Sequence, residues 1–260
     1  MRPPHSVIIG GTRGIGREVV DQFVRQGHKV SVIARQLPVQ KTNRPARAEY
    51  WAADICDKTG LSTTLPRIVS KAGKINYLVF LQRYRGADSW DGEIETSLTG
   101  TKNVVELTQD YFAAGDKAIV VVSSINAILI ANYLPPGYHV AKAALCQIVR
   151  YWAVTLGPRG IRVNSVSPGT VLKEESKKFF LKNAPLRDLY RRITPLGRFG
   201  HAREVAQVIA LLCSEQTSFV TGQDIVVDGG VSLQWQESLV RELMDLHYPS
   251  TGKQTKLGQK

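Results

Sequence analysis

His5-Ser6-Val7-Ile8-Ile9, followed directly by Gly10-Gly11-Thr12-Arg13-Gly14-Ile15-Gly16, is the stretch that decides the fold. The first five residues are a short apolar run rich in β-branched side chains, which predicts a strand covered on both faces. Beyond the glycines, Ile15, Val19 and Phe23 recur four apart, seconded by Val20 and Val24, and predict a helix with one buried face. Strand, glycine turn and helix in that order form a phosphate site. The glycines let the chain turn sharply and bring backbone N–H groups close to a diphosphate, and the helix N-terminus presents its positive end to the anion.

The same alternation runs outward from this unit. Strands are predicted at Lys29 to Ala34, Ala48 to Ala52, Ile75 to Leu81, Ala118 to Val122, Ile161 to Val166 and Asp224 to Val227. Helices are predicted at Lys58 to Ala72 (with Pro66 a complication in its interior), Ile94 to Phe112, Tyr138 to Leu156 and Ala202 to Cys213, and Pro38 and Pro45 mark a loop. This pattern predicts an α/β fold: a single doubly wound Rossmann-like domain, with a parallel seven-stranded sheet and helices on both faces. Ligands of such sheets bind beyond the C-terminal strand ends, where Gly10, Arg35, Asp54, Ser124 and Pro168 all fall.

The 260 residues suffice for one large domain, and 43% hydrophobic with 22% charged residues is ordinary for a globular chain. No apolar run approaches the ~20 residues that span a bilayer, and the first strand begins too soon for a signal peptide. Cys56, Cys146 and Cys213 are odd in number and widely spaced, and the five histidines form no ligand pair. The expectation is a cytoplasmic protein with no metal and no membrane partner. The formal charge of +12 is the unusual total, and without a recognisable nucleic-acid motif it points to an anionic cofactor or substrate instead of nucleic acid.

Tyr138 and Lys142 lie four apart on a predicted helix and share a face. A phenol ordinarily ionises near ~10. An ammonium ~6 Å away, at an effective dielectric of ~20, favours the phenolate by about 2.8 kcal/mol. That makes the pair a usable proton donor to a carbonyl under reduction. Alone, the spacing is equally that of a lysine lying along a half-buried tyrosine; its position after Ser124 gives it meaning.

From Ser6 to Gly230 the chain resembles the short-chain dehydrogenase/reductase family, in particular its 3-ketoacyl-reductase-like branch. The resemblance rests on Gly10 to Gly16, on Ser124 with Tyr138 and Lys142, on Arg162 to Gly169, and on Pro195 to Arg198 through Val227 to Gly230. It implies that Tyr138 is the general acid in reduction, that Lys142 supports it and holds the nicotinamide ribose, and that Ser124 hydrogen-bonds the substrate oxygen, with Ser123 a lesser candidate. It implies cofactor contacts from Gly10, Thr12, Arg13, Gly14, Ile15 and Gly16, from Asp54 and Ile55 at the adenine, and from Pro168, Gly169 and Val171 at the carboxamide. A homodimer or homotetramer is implied as well. Where the second strand ends, an acid often binds the adenosine ribose; here Arg35 stands instead, with Arg13 nearby, which favours the 2′-phosphate of NADP(H).

Two departures from the family pattern are visible. Phe80-Leu81-Gln82-Arg83 replaces the usual Asn-Asn-Ala-Gly, with Phe80 still expected to contact the cofactor. Ser97 falls where the family carries an asparagine of its proton relay. The function expected is NADPH-dependent reduction of a ketone (ketoacyl, polyketide, keto-sugar or another small carbonyl). The alternative is a weak or inactive NADP(H)-binding regulator or scaffold. Lys173 to Arg192 is expected to form a basic substrate lid within about 170–200. Together with Arg83 and Arg85 it either receives a phosphate-bearing or carrier-bound substrate or presents a solvated face with Phe179, Phe180 and Leu181 turned down. The reductase domain is placed at 1–230. A helical extension at 231–249, built on Trp235, Leu239, Leu243 and Leu246, packs on a neighbouring subunit or over the pocket, and 250–260 is a disordered tail.

Overall fold

The apolar run forms β1 (His5–Ile9), every residue of it buried, and the glycine turn leads into α1 (Gly14–Arg25). The structure is a computed structural model that describes residues 3–37, 47–87 and 90–246. Next come β2 (Lys29–Ala34), β3 (Ala48–Ala52), α2 (Lys58–Ala72), β4 (Tyr77–Phe80), α3 (Asp91–Glu93), a π-helical turn (Ile94–Thr99), α4 (Gly100–Thr108), β5 (Ala118–Val122) and α5 (Pro136–Leu156). After them follow β6 (Arg162–Pro168), β7 (Val171–Leu172), α6 (Glu174–Lys182), α7 (Ala184–Arg192), β8 (Gly200–His201), α8 (Ala202–Leu212), β9 (Asp224–Val227) and α9 (Gln236–Leu243).

Seven strands form one sheet in the order β3-β2-β1-β4-β5-β6-β9, and every neighbouring pair is parallel. Ile9 lies opposite Ile33 and Phe80, and Phe80 opposite Val121. The residues that follow these positions therefore emerge in one row along a single edge of the sheet. One face of the sheet packs on α2, α4 and α5 through Leu61, Leu65, Val104, Leu145 and Val149. The other packs on α1 and α8 through Val19, Phe23, Val205 and Ile209. Burying both faces is what the near-continuous apolar strands require.

Four expectations are refined. The helix predicted from Ile94 to Phe112 is interrupted by the π-helical turn. There Gly100 packs so closely on Ile55 that a Cβ would meet its Cγ1 at 2.6 Å, and the Thr101 hydroxyl donates to the Ser97 carbonyl at 2.5 Å. Pro66 does not break α2, which runs through it with the proline at an exposed position. Of the three apolar lid residues Phe179, Phe180 and Leu181, only Phe180 is half-buried, edge-on to Tyr190 and tilted against Phe199, while Phe179 and Leu181 are exposed. The extension forms α9, whose final carbonyls, of Glu242 and Leu243, accept from the Arg192 guanidinium of α7, so it docks on the lid; Trp235 and Leu246 remain exposed. The loop marked by Pro38 and Pro45 and the tail at 250–260 lie outside the described residues.

Candidate active site

The glycine turn is as tight as its composition suggests. Gly10 has φ +85°, and a Cβ on it would meet the backbone N of Gln82 at 2.8 Å; a Cβ on Gly16 would stand 2.2 Å from the Gly10 carbonyl. Arg13, the residue before α1, makes no side-chain cap bond, and the first turn of α1 holds no acid. The N–H groups at this helix end are thus available to an anion. Glu175 Oε1, from α6, comes close to this turn, 3.1 Å from where a Cβ on Gly14 would stand.

Two adjoining compartments open along this edge of the sheet. The first, of about 360 Å³, is lined by Gly10, Thr12 and Arg13, by Arg35 at the end of β2, and by Asp54 and Ile55 after β3. The second is lined by Gly14, Ile15 and Gly16, by Ser124, Tyr138 and Lys142, and by Pro168, Gly169 and Val171. Arg13, Leu81, Gln82, Arg83 and Arg85 border both. A single elongated ligand with an adenosine end and a reactive end fits this layout. Gln82 adds a buried side-chain oxygen with no hydrogen-bond partner in the protein. The residues present therefore fit a dinucleotide.

At the reactive end, Pro136 starts α5 where no N–H is needed, and the first turn carries Tyr138. The Lys142 ammonium lies 5.8 Å from the Tyr138 ring centre and donates to the Val122 carbonyl at 3.1 Å. Lys142 is buried. Burial pulls its pKa down from 10.5 to about 8, the Glu93 carboxylate opposing this and Arg83 and Lys173 adding to it. Ser124 ends the loop from β5 and exchanges hydrogen bonds with Asn126 through its side chain and backbone N–H, each at 3.2 Å. Ser123 donates to the Lys142 carbonyl at 2.8 Å, which gives it a role in fastening α5. The His139 ring accepts from the Ala131 N–H at 3.0 Å and ties the long loop between Ser124 and Tyr138 back to α5.

Two expected site residues stand elsewhere. Phe80 does not line the crevice: the alternation of β4 turns its ring into the core beside Leu78 and Val121, and the next residues, Leu81 to Arg83, reach the opening instead. Ser97 lies beneath the crevice, 1% exposed, with its hydroxyl given to Glu93 Oε2 at 3.3 Å. Sequence reading missed Glu93, a carboxylate buried at 4% exposure on this side of Lys142. Its signal was the four-residue spacing to Ser97, which sets both on one helical face. Gln82, Lys173 and Glu175 also border the crevice.

A family model described as enoyl-(acyl carrier protein) reductase matches residues 10–232. The 3-oxoacyl-[acyl-carrier-protein] reductase FabG of Thermotoga maritima is 32% identical over 246 residues, covering 86% of this chain and 96% of the relative. The chain belongs to the short-chain dehydrogenase/reductase family. Isoepoxydon dehydrogenase patN of Penicillium expansum is 30% identical, covering 91% of this chain and 97% of its own. Among solved structures of this fold, ElxO with NADP bound superposes with a TM-score of 0.79 at 25% identity, covering 90% of this chain and 100% of that one. Membership in the short-chain dehydrogenase/reductase family makes the chain an oxidoreductase of CH–OH and C=O groups that uses a nicotinamide cofactor. Among the described residues no helix is long and apolar enough to cross a membrane.

Proposed function

We propose that the chain is an NADPH-dependent reductase that converts a ketone to a secondary alcohol. The observation that carries this reading is the common border of the two compartments, which joins Arg13 and Arg35 at one end to Ser124, Tyr138 and Lys142 at the other. When bound, the dihydronicotinamide supplies the hydride that the carbonyl carbon accepts. The Tyr138 hydroxyl gives its proton to the carbonyl oxygen. Ser124 donates a hydrogen bond to the same oxygen as negative charge develops on it. Lys142 holds positive charge beside the phenol and keeps the tyrosine oriented. Arg13 and Arg35 pair with a 2′-phosphate through charge-assisted hydrogen bonds, while Asp54, whose Oδ1 accepts from the Cys56 N–H at 3.0 Å, stands at the adenine.

In this reading residues 1–230 are the reductase domain, 170–200 its lid and 231–249 an extension fastened to the lid. Tyr151 and Val154, exposed on α5, offer apolar surface for a homodimer or homotetramer. The test is a panel of ketones, ketoacyl thioesters and keto-sugars followed by NADPH absorbance, with Arg35→Asp beside the parent. Turnover in the parent, with affinity for NADPH falling far more than for NADH in the variant, is the expected result. Absence of turnover across the panel favours a cofactor-binding scaffold, and equal losses for both cofactors remove the arginine argument.

A further inference from the structure

Arg83 stands where the family pattern has a glycine, and its guanidinium carbon lies 5.4 Å from the centre of the Tyr138 ring. Among the described residues no carboxylate pairs with it. Its nearest charged company is cationic: Arg83 lowers the proton affinity of Lys142, Arg85 and Lys173 alike. Two acids act on this group, Glu93 on Lys142 and Glu175 on Arg85 and Lys173, against the five cations Arg13, Arg83, Arg85, Lys142 and Lys173. So much unbalanced positive charge around one crevice is unfavourable until an anion enters.

The cofactor's own anions have other partners. Its diphosphate belongs at the start of α1, and its 2′-phosphate at Arg13 and Arg35. Arg83 faces the reacting end, over the ring whose hydroxyl protonates the substrate. A guanidinium fork there matches a carboxylate edge to edge. From these observations, and resting on the reductase reading above, we propose that Arg83 selects the substrate: an oxo acid whose carboxylate lies a few bonds from the carbonyl under reduction.

The experiment compares a free oxo acid, its neutral methyl ester and its acyl thioester in the parent, Arg83→Ala and Arg83→Lys, with NADPH affinity measured separately by fluorescence titration. Charge-assisted hydrogen bonds of this kind are worth about 10- to 150-fold. The parent should prefer the acid to the ester by that factor in kcat/KM. Read at saturating NADPH, Arg83→Ala should remove the preference by slowing the acid far more than the ester, and Arg83→Lys should recover part of it. Equal losses on acid and ester at saturating NADPH, or a thioester preferred over the acid in all three proteins, each overturn the proposal. Reduction of neutral ketones with no preference for acids defeats this proposal and leaves the reductase reading intact; no turnover of any carbonyl defeats that reading itself.

Discussion

Lys142 is enclosed by protein, and the cation it carries is held there against the cost of burial. Desolvation draws its pKa to about 8, and Glu93 works in the opposite direction. The sign follows directly: the ammonium is present below about pH 8 and lost above it, so carbonyl reduction should fall along an alkaline limb near that value. Glu93→Gln removes the charge that favours the cation and should move the limb to lower pH, read from a pH profile of kcat/KM; an unmoved limb would show that Glu93 does not act on Lys142. Because folding lowers this pKa from 10.5, the same group costs stability below about 8, and that cost disappears as pH rises toward 10.5. The pairing of Tyr138 with Lys142 was legible from a four-residue spacing. Glu93 was not, because its four-residue spacing to Ser97 shows a shared helical face but not that this face is buried beside the lysine, and Asp91 and Glu95 flank it as equally plausible acids.

At the scale of elements, most boundaries followed from period and punctuation. β1, β2, β3, β5, β9 and α2 begin and end where their residues predict; for β1 and β5 the reason is that buried parallel strands are near-continuously apolar and are stopped by glycine or polar residues. The π-helical turn at Ile94–Thr99 was hidden, because no apolar period marks it, and the close packing of Gly100 on Ile55 that accompanies it joins residues far apart in the chain. The start of α8 shows how the segment after the lid is fixed. Glu204 accepts from the His201 N–H at 2.8 Å and pairs bidentately with Arg198, and these contacts hold its carboxyl down at about 2. A depressed carboxyl contributes stability above its unfolded value of 4.5 that is lost as pH falls toward 2. Glu204→Gln should therefore lower Tm at pH 7, with the gap from the parent closing across that interval; a gap independent of pH would contradict the assignment.

Across the whole molecule, seven parallel strands deliver the ends of β1, β2, β3, β4, β5 and β6 to one edge, and the site is assembled there from segments distant in sequence. The fold and the row of ligand positions were readable because that rule depends only on strand direction. The direction in which a given side chain leaves the edge was not, which is why Phe80 turned out to be core and Arg83 faces the tyrosine. The charge of +12 finds part of its use in the same place, drawing an anionic cofactor toward the crevice.

The most direct test of this account is Tyr138→Phe, which removes one oxygen from a half-buried ring and leaves the cofactor compartments intact. NADPH affinity and Tm should stay at the parent values while NADPH oxidation on the best carbonyl falls by about 10²–10⁴-fold. Turnover at the parent rate in the variant would contradict the assignment of the phenol as the proton donor.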